Sequence, residues 1–209
     1  MIENLKVFKT SGELQTNSSS FTINGIDYIV DPGKGIGNYV DKTKTYDVII
    51  THGHYDHIAG LKEINVGKIY ISPEDSECLS NPSLNLSIFF DEIFSIDYKW
   101  YNIDEYFETI LAPGHTAGSR IIIINGHLFT GDVVFSDTIG RVDLYIDKEK
   151  AKKMREEMKK TIENLRRIFK TFPDDWKICP GHENQTTIKR LFEINPFFKS
   201  FWWVKANQN

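Results

Sequence analysis

Thr51-His52-Gly53-His54-Tyr55-Asp56-His57 begins where the apolar run Val48, Ile49, Ile50 breaks off. That unbroken apolar centre predicts a strand over 46–51 buried on both faces, and a short helix follows over 56–64. Histidine is scarce, six in the chain, yet three fall within 52–57, where chance would place about 0.2. His52 and His54 stand two apart just past the strand, so both imidazoles point the same way if the chain stays extended. Asp56 and His57 open the helix, where the chain turns back over the strand end. Four ligand-type side chains are thus presented around one point, and imidazole with carboxylate is the donor chemistry of a metal site. Ordinary surface histidines are the bland reading, and the clustering argues against it.

Three further segments share a local grammar of apolar strand, glycine, then a ligand-type residue. They are Leu111-Ala112-Pro113-Gly114-His115, Leu128-Phe129-Thr130-Gly131-Asp132 and Ile178-Cys179-Pro180-Gly181-His182. Glycine lets the backbone turn sharply and pass close to a crowded centre. Ligands at the ends of several strands can converge on one edge of a sheet. Five of the six histidines then belong to one site, leaving His127 as a solvent-facing residue of a Gly126-His127 turn. Cys179, three residues before His182, reads as a small buried hydrophobe in preference to a thiolate ligand. Cys78 lies in a loop-like segment and attracts no role.

Around these motifs, strands are expected at 5–8, 19–23, 28–30, 68–72, 109–112, 120–125, 128–130 and 176–179. The glycine-rich Gly33-Lys34-Gly35-Ile36-Gly37 lacks the ending of a phosphate loop and reads as a plain loop. From an N-cap at Asp147, Ala151, Met154, Met158, Ile162, Leu165 and Phe169 recur at helical spacing, opposite a solvated face of Lys, Arg and Glu. A C-terminal helix begins near Thr186, and Phe197, Phe198, Phe201 and Trp202 recur at helical spacing. Packing against the body is the favoured reading of that stripe, with a homodimer contact as the alternative. The pattern supports one layered α/β or α+β domain over 1–209.

Composition narrows the class further. Of 209 residues 40% are hydrophobic and 26% charged, which excludes collagen-like and disordered chains. No uninterrupted apolar run exceeds four residues, far below the roughly 20 that span a bilayer, so no membrane partner is expected. Glu3, Lys6, Lys9 and Glu13 interrupt any signal-peptide core, and two cysteines make no disulfide framework, so a reducing cytoplasm is the expected location. A net charge of −4 argues against a nucleic-acid partner.

Taken together, these motifs resemble the metallo-β-lactamase superfamily. The match comprises THxHxDH at 51–57, GHT at Gly114 to Thr116, GD at Gly131-Asp132, GH at Gly181-His182 and the strand end Asp31-Pro32-Gly33. Closer similarity is to the short glyoxalase II-like hydrolases. Gly131-Asp132-Val133-Val134-Phe135 followed by Ile139-Gly140-Arg141-Val142-Asp143-Leu144 looks like their GDxLF…GRTDL stretch. Pro180-Gly181-His182, Thr186-Thr187-Ile188 and Asn195-Pro196-Phe197 look like their ending. Val142, Glu183 and Lys189 depart from that pattern without touching a ligand position. The chain also ends before the helical C-terminal domain that grips glutathione in full-length glyoxalase II, so the resemblance implies weak dependence on glutathione itself.

The resemblance implies an α+β fold, a four-layer αββα sandwich with metals at the sheet edge. It implies two divalent ions, zinc fitting the nitrogen-rich donors best and iron or manganese acceptable. His52, His54 and His115 would hold one; Asp56, His57 and His182 the other; Asp132 would bridge. Asp56 and Asp132 are the expected catalytic residues, balancing most of the metal charge while a metal-held hydroxide, formed at neutral pH, attacks a carbonyl. The implied reaction is hydrolysis of a small-molecule thioester, an S-acyl thiol. The alternative is a mononuclear iron persulfide dioxygenase using one of His52 and His54 with His115 and Asp132 as a facial triad. A phosphodiesterase would want a basic groove, hard to find at net −4, and a non-catalytic metal module sits poorly with a complete ligand set.

Overall fold

Among the described residues of the computed structural model, 1–90, 92–144 and 147–199, the chain runs through two sheets with helices at their outer faces. The first sheet is built from β1 (Glu3–Lys9), β2 (Asn17–Ile23), β3 (Ile26–Val30), β4 (Thr45–Ile49), β5 (Asn65–Ile71) and β6 (Trp100–Asn102), in that spatial order. Helix α1 (Tyr55–Ile58) lies between β4 and β5 and continues as a 3-10 turn through Ala59–Glu63. The second sheet contains β7 (Glu108–Leu111), β8 (Arg120–Ile124), β9 (His127–Gly131), β10 (Lys177–Pro180) and β11 (Thr186–Thr187), in spatial order β11-β10-β9-β8-β7. Helix α2 (Lys148–Phe169) connects β9 to β10, and α3 (Ile188–Ile194) follows β11.

Alternation along single strands builds the layers, because successive strand side chains point to opposite faces. In β8, Ile122 and Ile124 face the other sheet and meet Phe21, Val30, Ile49 and Phe129. Ile121 and Ile123 face outward and pack under Met158, Ile162 and Leu165 of α2 and Leu191 of α3. In β4, Ile49 turns inward, while Val48 and the following Ile50 turn outward to Ile58 and Leu61 at the α1 segment. The run 48–50 is therefore continuous because it serves two cores. The result is an α+β sandwich layered αββα.

Helix α2 carries the apolar stripe that its spacing predicts, with Met154, Met158, Ile162, Leu165 and Phe169 buried. The Asp147 side chain accepts the Glu149 and Lys150 amides at its N-cap. Phe198 stacks on Phe169 at 5.7 Å and is buried, and Phe197 is half-buried against the same cluster, so these two pack on the body. Phe201 and Trp202 lie outside the described residues. No described helix is long and apolar enough to cross a membrane.

Several local expectations change. The turn joining β8 and β9 is Asn125-Gly126, both at positive φ (48° and 78°), and His127 is the first residue of β9, not a turn residue. The mirror-type two-residue turn matches the strand twist, which fixes the register one residue earlier. The helix expected over 56–64 is α-helical only through Ile58, because Gly60 must pass against the Pro32 and Gly33 carbonyls and the 3-10 turn tightens there. Strand β6 escaped notice, having only three residues and little alternation. The glycine loop at 33–37 is no phosphate loop, yet its Gly35 and Gly37 amides do bind an anion of the chain itself, the Glu63 carboxylate, at 2.7 and 3.0 Å. Leu165 is fully buried between α2 and the second sheet. Leu165→Ala should lower the unfolding free energy by about 2–5 kcal/mol in urea titrations, the cost of lost burial plus a cavity.

Candidate metal centre

Strands β3, β4 and β5 are parallel, as are β9 and β10, so the loops after them gather at one edge of the sandwich. Asp31 follows β3, the 51–57 segment follows β4, Asp75 follows β5, His115 follows β7, Asp132 follows β9 and His182 follows β10. Backbone bonds lock the two sheets together there: the Arg120 amide donates to the Thr51 carbonyl (3.0 Å), and the Asn17 amide to the Gly181 carbonyl (2.7 Å).

All seven candidate ligands meet at this edge. His52, His54 and His115 form one group, His52, His57 and Asp132 a second, and Asp56, His57 and His182 a third, with donor atoms in each group within 4.8 Å of one another. Asp132 stands between the groups, its oxygens 3.3 Å from His57 Nε2, 3.4 Å from His182 Nε2 and 3.6 Å from His115 Nε2. Asp56 Oδ2 lies 3.1 Å from His182 Nε2. His57 Nε2 and Asp132 Oδ1 are fully buried without a hydrogen bond. Buried polar atoms left unbonded are costly. Two of them facing each other at 3.3 Å fit a cation, and the N-rich, two-carboxylate donor set fits divalent metals.

Hydrogen bonds set the ring orientations. The buried Asp31 carboxylate accepts the Thr51 amide (2.8 Å), the Thr51 hydroxyl (2.6 Å) and His57 Nδ1–H (2.9 Å). His57 is thereby held with Nε2 toward Asp132 and Asp56. The Thr51 hydroxyl, having given its proton to Asp31, accepts from His52 Nδ1 at 3.2 Å, which leaves His52 Nε2 as a lone pair 3.1 Å from His54 Nδ1. His115 Nδ1 donates to the Arg141 carbonyl at 2.8 Å, turning its Nε2 inward. The Thr16 hydroxyl, at 3.0 Å from both the carbonyl and Oδ2 of Asp56, holds that carboxylate. Asp75 binds the loops on either side together, accepting from the Gly53 and Gly118 amides and the Thr116 hydroxyl at 2.7–2.9 Å.

Of these positioning groups, the sequence marked Asp31 as a strand end, Thr51 at the head of the histidine motif and Arg141 within the GRTDL-like stretch. Thr16 and Asp75 carry no local signal, since each acts on residues at least 22 positions away.

Electrostatics divide the cluster. Burial, together with neighbouring imidazoles, pushes His52 well below its ordinary range and His54 down to about 3, so both stay neutral lone-pair donors. For His57 burial acts downward too, but the Asp56, Asp132 and Asp31 carboxylates outweigh it and hold the ring well above its ordinary range. His182 is raised against burial to about 9 by hydrogen bonds with Asp132 and Asp56. Burial acts to raise both carboxyls, yet the facing imidazoles hold Asp56 and Asp132 well below the usual carboxylate range. One half of the centre is built of neutral nitrogens and the other of paired charges. Divalent ions taking the place of the His57 and His182 protons would release them on binding.

Outside this set, Cys179 is buried between the sheets with its thiol pushed up to about 12, a core residue as expected. Cys78 is not a loop bystander: it is buried in a 3-10 turn and packs so closely on Gly53 that a side chain there would overlap its Cβ and Sγ. Gly181 has the same close fit on the other side, where an added Cβ would overlap Asp132 Oδ1 and His57 Cε1. Gly181→Ala should therefore leave the circular dichroism native and reduce the metal bound per chain by at least half, measured by plasma emission after dialysis against zinc.

Comparison with known proteins agrees with this geometry. Residues 46–182 match the metallo-beta-lactamase superfamily domain. The chain is 27% identical to a probable metallo-hydrolase of Streptococcus pyogenes serotype M6, over 93% of this chain and 90% of that protein. It is 28% identical to the hydroxyacylglutathione hydrolase GloC of Haemophilus influenzae, over 82% of this chain and 87% of that one. The crystal structure of the BLEG-1 B3 metallo-beta-lactamase superposes with a TM-score of 0.73 at 24% identity, covering 94% of this chain and all of that chain. With the layered sandwich, the ligand cluster at its edge and a domain match across more than half its length, the chain belongs to the metallo-beta-lactamase superfamily.

Proposed function

We propose that the protein is a binuclear metal-dependent hydrolase that cleaves the thioester bond of a small S-acyl thiol. The observation that carries this reading is the interlocking of three ligand groups through shared residues, with Asp132 between them. His52, His54 and His115 would hold one ion, Asp56, His57 and His182 the second, and Asp132 would be shared between them. Bound divalent ions supply a water-derived nucleophile at neutral pH and polarise the attacked carbonyl. Zinc suits the five imidazoles and two carboxylates of the set.

The chain's own residues do the rest. Asp31 and Thr51 keep the His57 and His52 rings in one tautomer, and Asp56 and Asp132 bring the negative charge that offsets the cations. Thr16 fixes the Asp56 carboxylate beside a cavity of about 180 Å³ through which substrate can approach. The choice of a thioester is supported by the similarity to GloC, a hydroxyacylglutathione hydrolase. It is also supported by the stretch resembling GRTDL, whose Arg141 carbonyl orients His115.

The zinc-loaded protein should hydrolyse a 2-hydroxyacyl thioester, followed by release of free thiol, and chelation should abolish that activity. Oxygen uptake with a thiol persulfide, together with intact thioesters, would replace this reading with the iron dioxygenase. Asp132→Asn keeps side-chain size but removes the charge between the two groups, whereas His182→Ala leaves His52, His54 and His115 whole. Asp132→Asn is therefore expected to lower both metal stoichiometry and kcat more than His182→Ala, compared side by side at saturating zinc. Two metals and near-normal turnover in Asp132→Asn would remove Asp132 from the bridging role.

A further inference from the structure

A second cavity, of about 410 Å³, opens on the centre through His54 and not through Asp56. Its size falls in the range of small-molecule sites. Its outer wall is the 83–89 segment, which turns Leu84, Ile88 and Phe89 toward solvent at 38%, 46% and 63% exposure, with Leu86 beside them and Leu144 and Ala117 across. Three large exposed hydrophobics on one short segment beside a cavity mark a ligand surface.

The segment is held rigidly in this position. The buried Asn85 side chain donates to the Cys78 and Phe94 carbonyls at 2.7 and 3.1 Å and accepts the Ser87 amide, and its own carbonyl receives the Tyr55 amide at 2.8 Å. The apolar wall is therefore tied to the residue between His54 and Asp56. Leu86 sits at φ 67°, a left-handed conformation that a leucine adopts only when its surroundings impose it. The acidic groups in the wall are engaged elsewhere: Asp75 with two amides and the Thr116 hydroxyl, Glu74 with Arg120 at 2.9 Å, and Asp147 with the start of α2. The His54-side lining carries one cation, Lys150, whereas the cavity on the Asp56 side places more hydrogen-bonding side chains beside its apolar Leu14 and Phe90, among them Thr10, Ser11, Gln15 and Lys34.

Resting on the thioester reading above, we infer that the His54-side cavity is an acyl pocket, and that the substrate carries an apolar acyl chain of several carbons, with its polar thiol carrier on the Asp56 side. An amide-bearing carrier laid along the 83–89 wall would bury polar groups without partners, whereas a hydrocarbon chain loses nothing there. Each methylene that leaves water for such a wall favours binding by about 0.8 kcal/mol, roughly a fourfold gain.

The test uses zinc-loaded protein and N-acetylcysteamine thioesters carrying acetyl, butanoyl, hexanoyl and octanoyl groups. kcat/KM should rise at least tenfold from acetyl to hexanoyl. Ile88→Asp and Phe89→Ser, both at exposed positions, should each erase most of that rise while metal content and melting temperature stay native, and Ile26→Ser, on the exposed part of β3 away from this cavity, should keep it. Hydrolysis that is flat or falling with chain length, or a rise that survives both pocket variants, overturns the acyl pocket and leaves the thioester reading standing. Hydrolysis of none of the four, with metal bound, overturns the pocket; failure on the 2-hydroxyacyl thioester as well overturns the thioester reading with it.

Discussion

The buried Asp31 carboxylate is the interaction on which the rest of the edge depends. It accepts the Thr51 amide and hydroxyl from the end of β4 and a ring proton from His57, so one side chain joins β3, the strand beside it and the helix that follows. Its reach extends further, because the Thr51 hydroxyl in turn orients His52. Two imidazoles that share one candidate group, each also belonging to another, thus take their ring orientations from the same carboxylate. A hydrogen bond to an ionised group is worth about 1.5–3 kcal/mol, and a chain of them in a water-free interior is stiffer than its members taken singly.

Stiffness matters because the arrangement gathers five imidazoles and two carboxylates in a space that a hydrophobic core would fill with aliphatic chains. Such a cluster persists only if the sandwich beneath it is over-determined. The two sheets supply that through cores on three levels, and α2 adds a direct tie, the Thr161 hydroxyl donating to the Pro113 carbonyl at 2.7 Å just before His115. Gly114, at φ 145°, lets that loop lie against Met158, where a Cβ would come within 2.6 Å of the Met158 Cβ. Packing of the long helix and placement of His115 are therefore one requirement.

The two sides of the centre differ in kind. Toward His54 the surroundings are the more apolar and the nitrogens neutral; toward Asp56 hydrogen-bonding side chains are more numerous and the charges paired. A substrate with one hydrocarbon end and one polar end has a preferred direction across such a site, which is how an environment, more than any single contact, sets specificity.

Much of this was legible in the residues themselves. Clustered histidines at 52–57 and the strand-glycine-ligand pattern before His115, Asp132 and His182 named all seven residues that meet at the edge, because chemistry and the turn-permitting glycine are local properties. The apolar run at 48–50 and the stripe of α2 announced the layers for the same reason: burial periodicity is written along one element. What tertiary structure alone decided lies between elements. The one-residue displacement of the β8–β9 turn placed His127 in a strand, since register is a property of two strands. Thr16, Asp75 and the Arg141 carbonyl became positioning groups only when sheet pairing brought them 2.7–3.0 Å from their partners. A hydrogen bond across 22 to 41 residues depends on where the backbone arrives, and residue type alone does not carry that information.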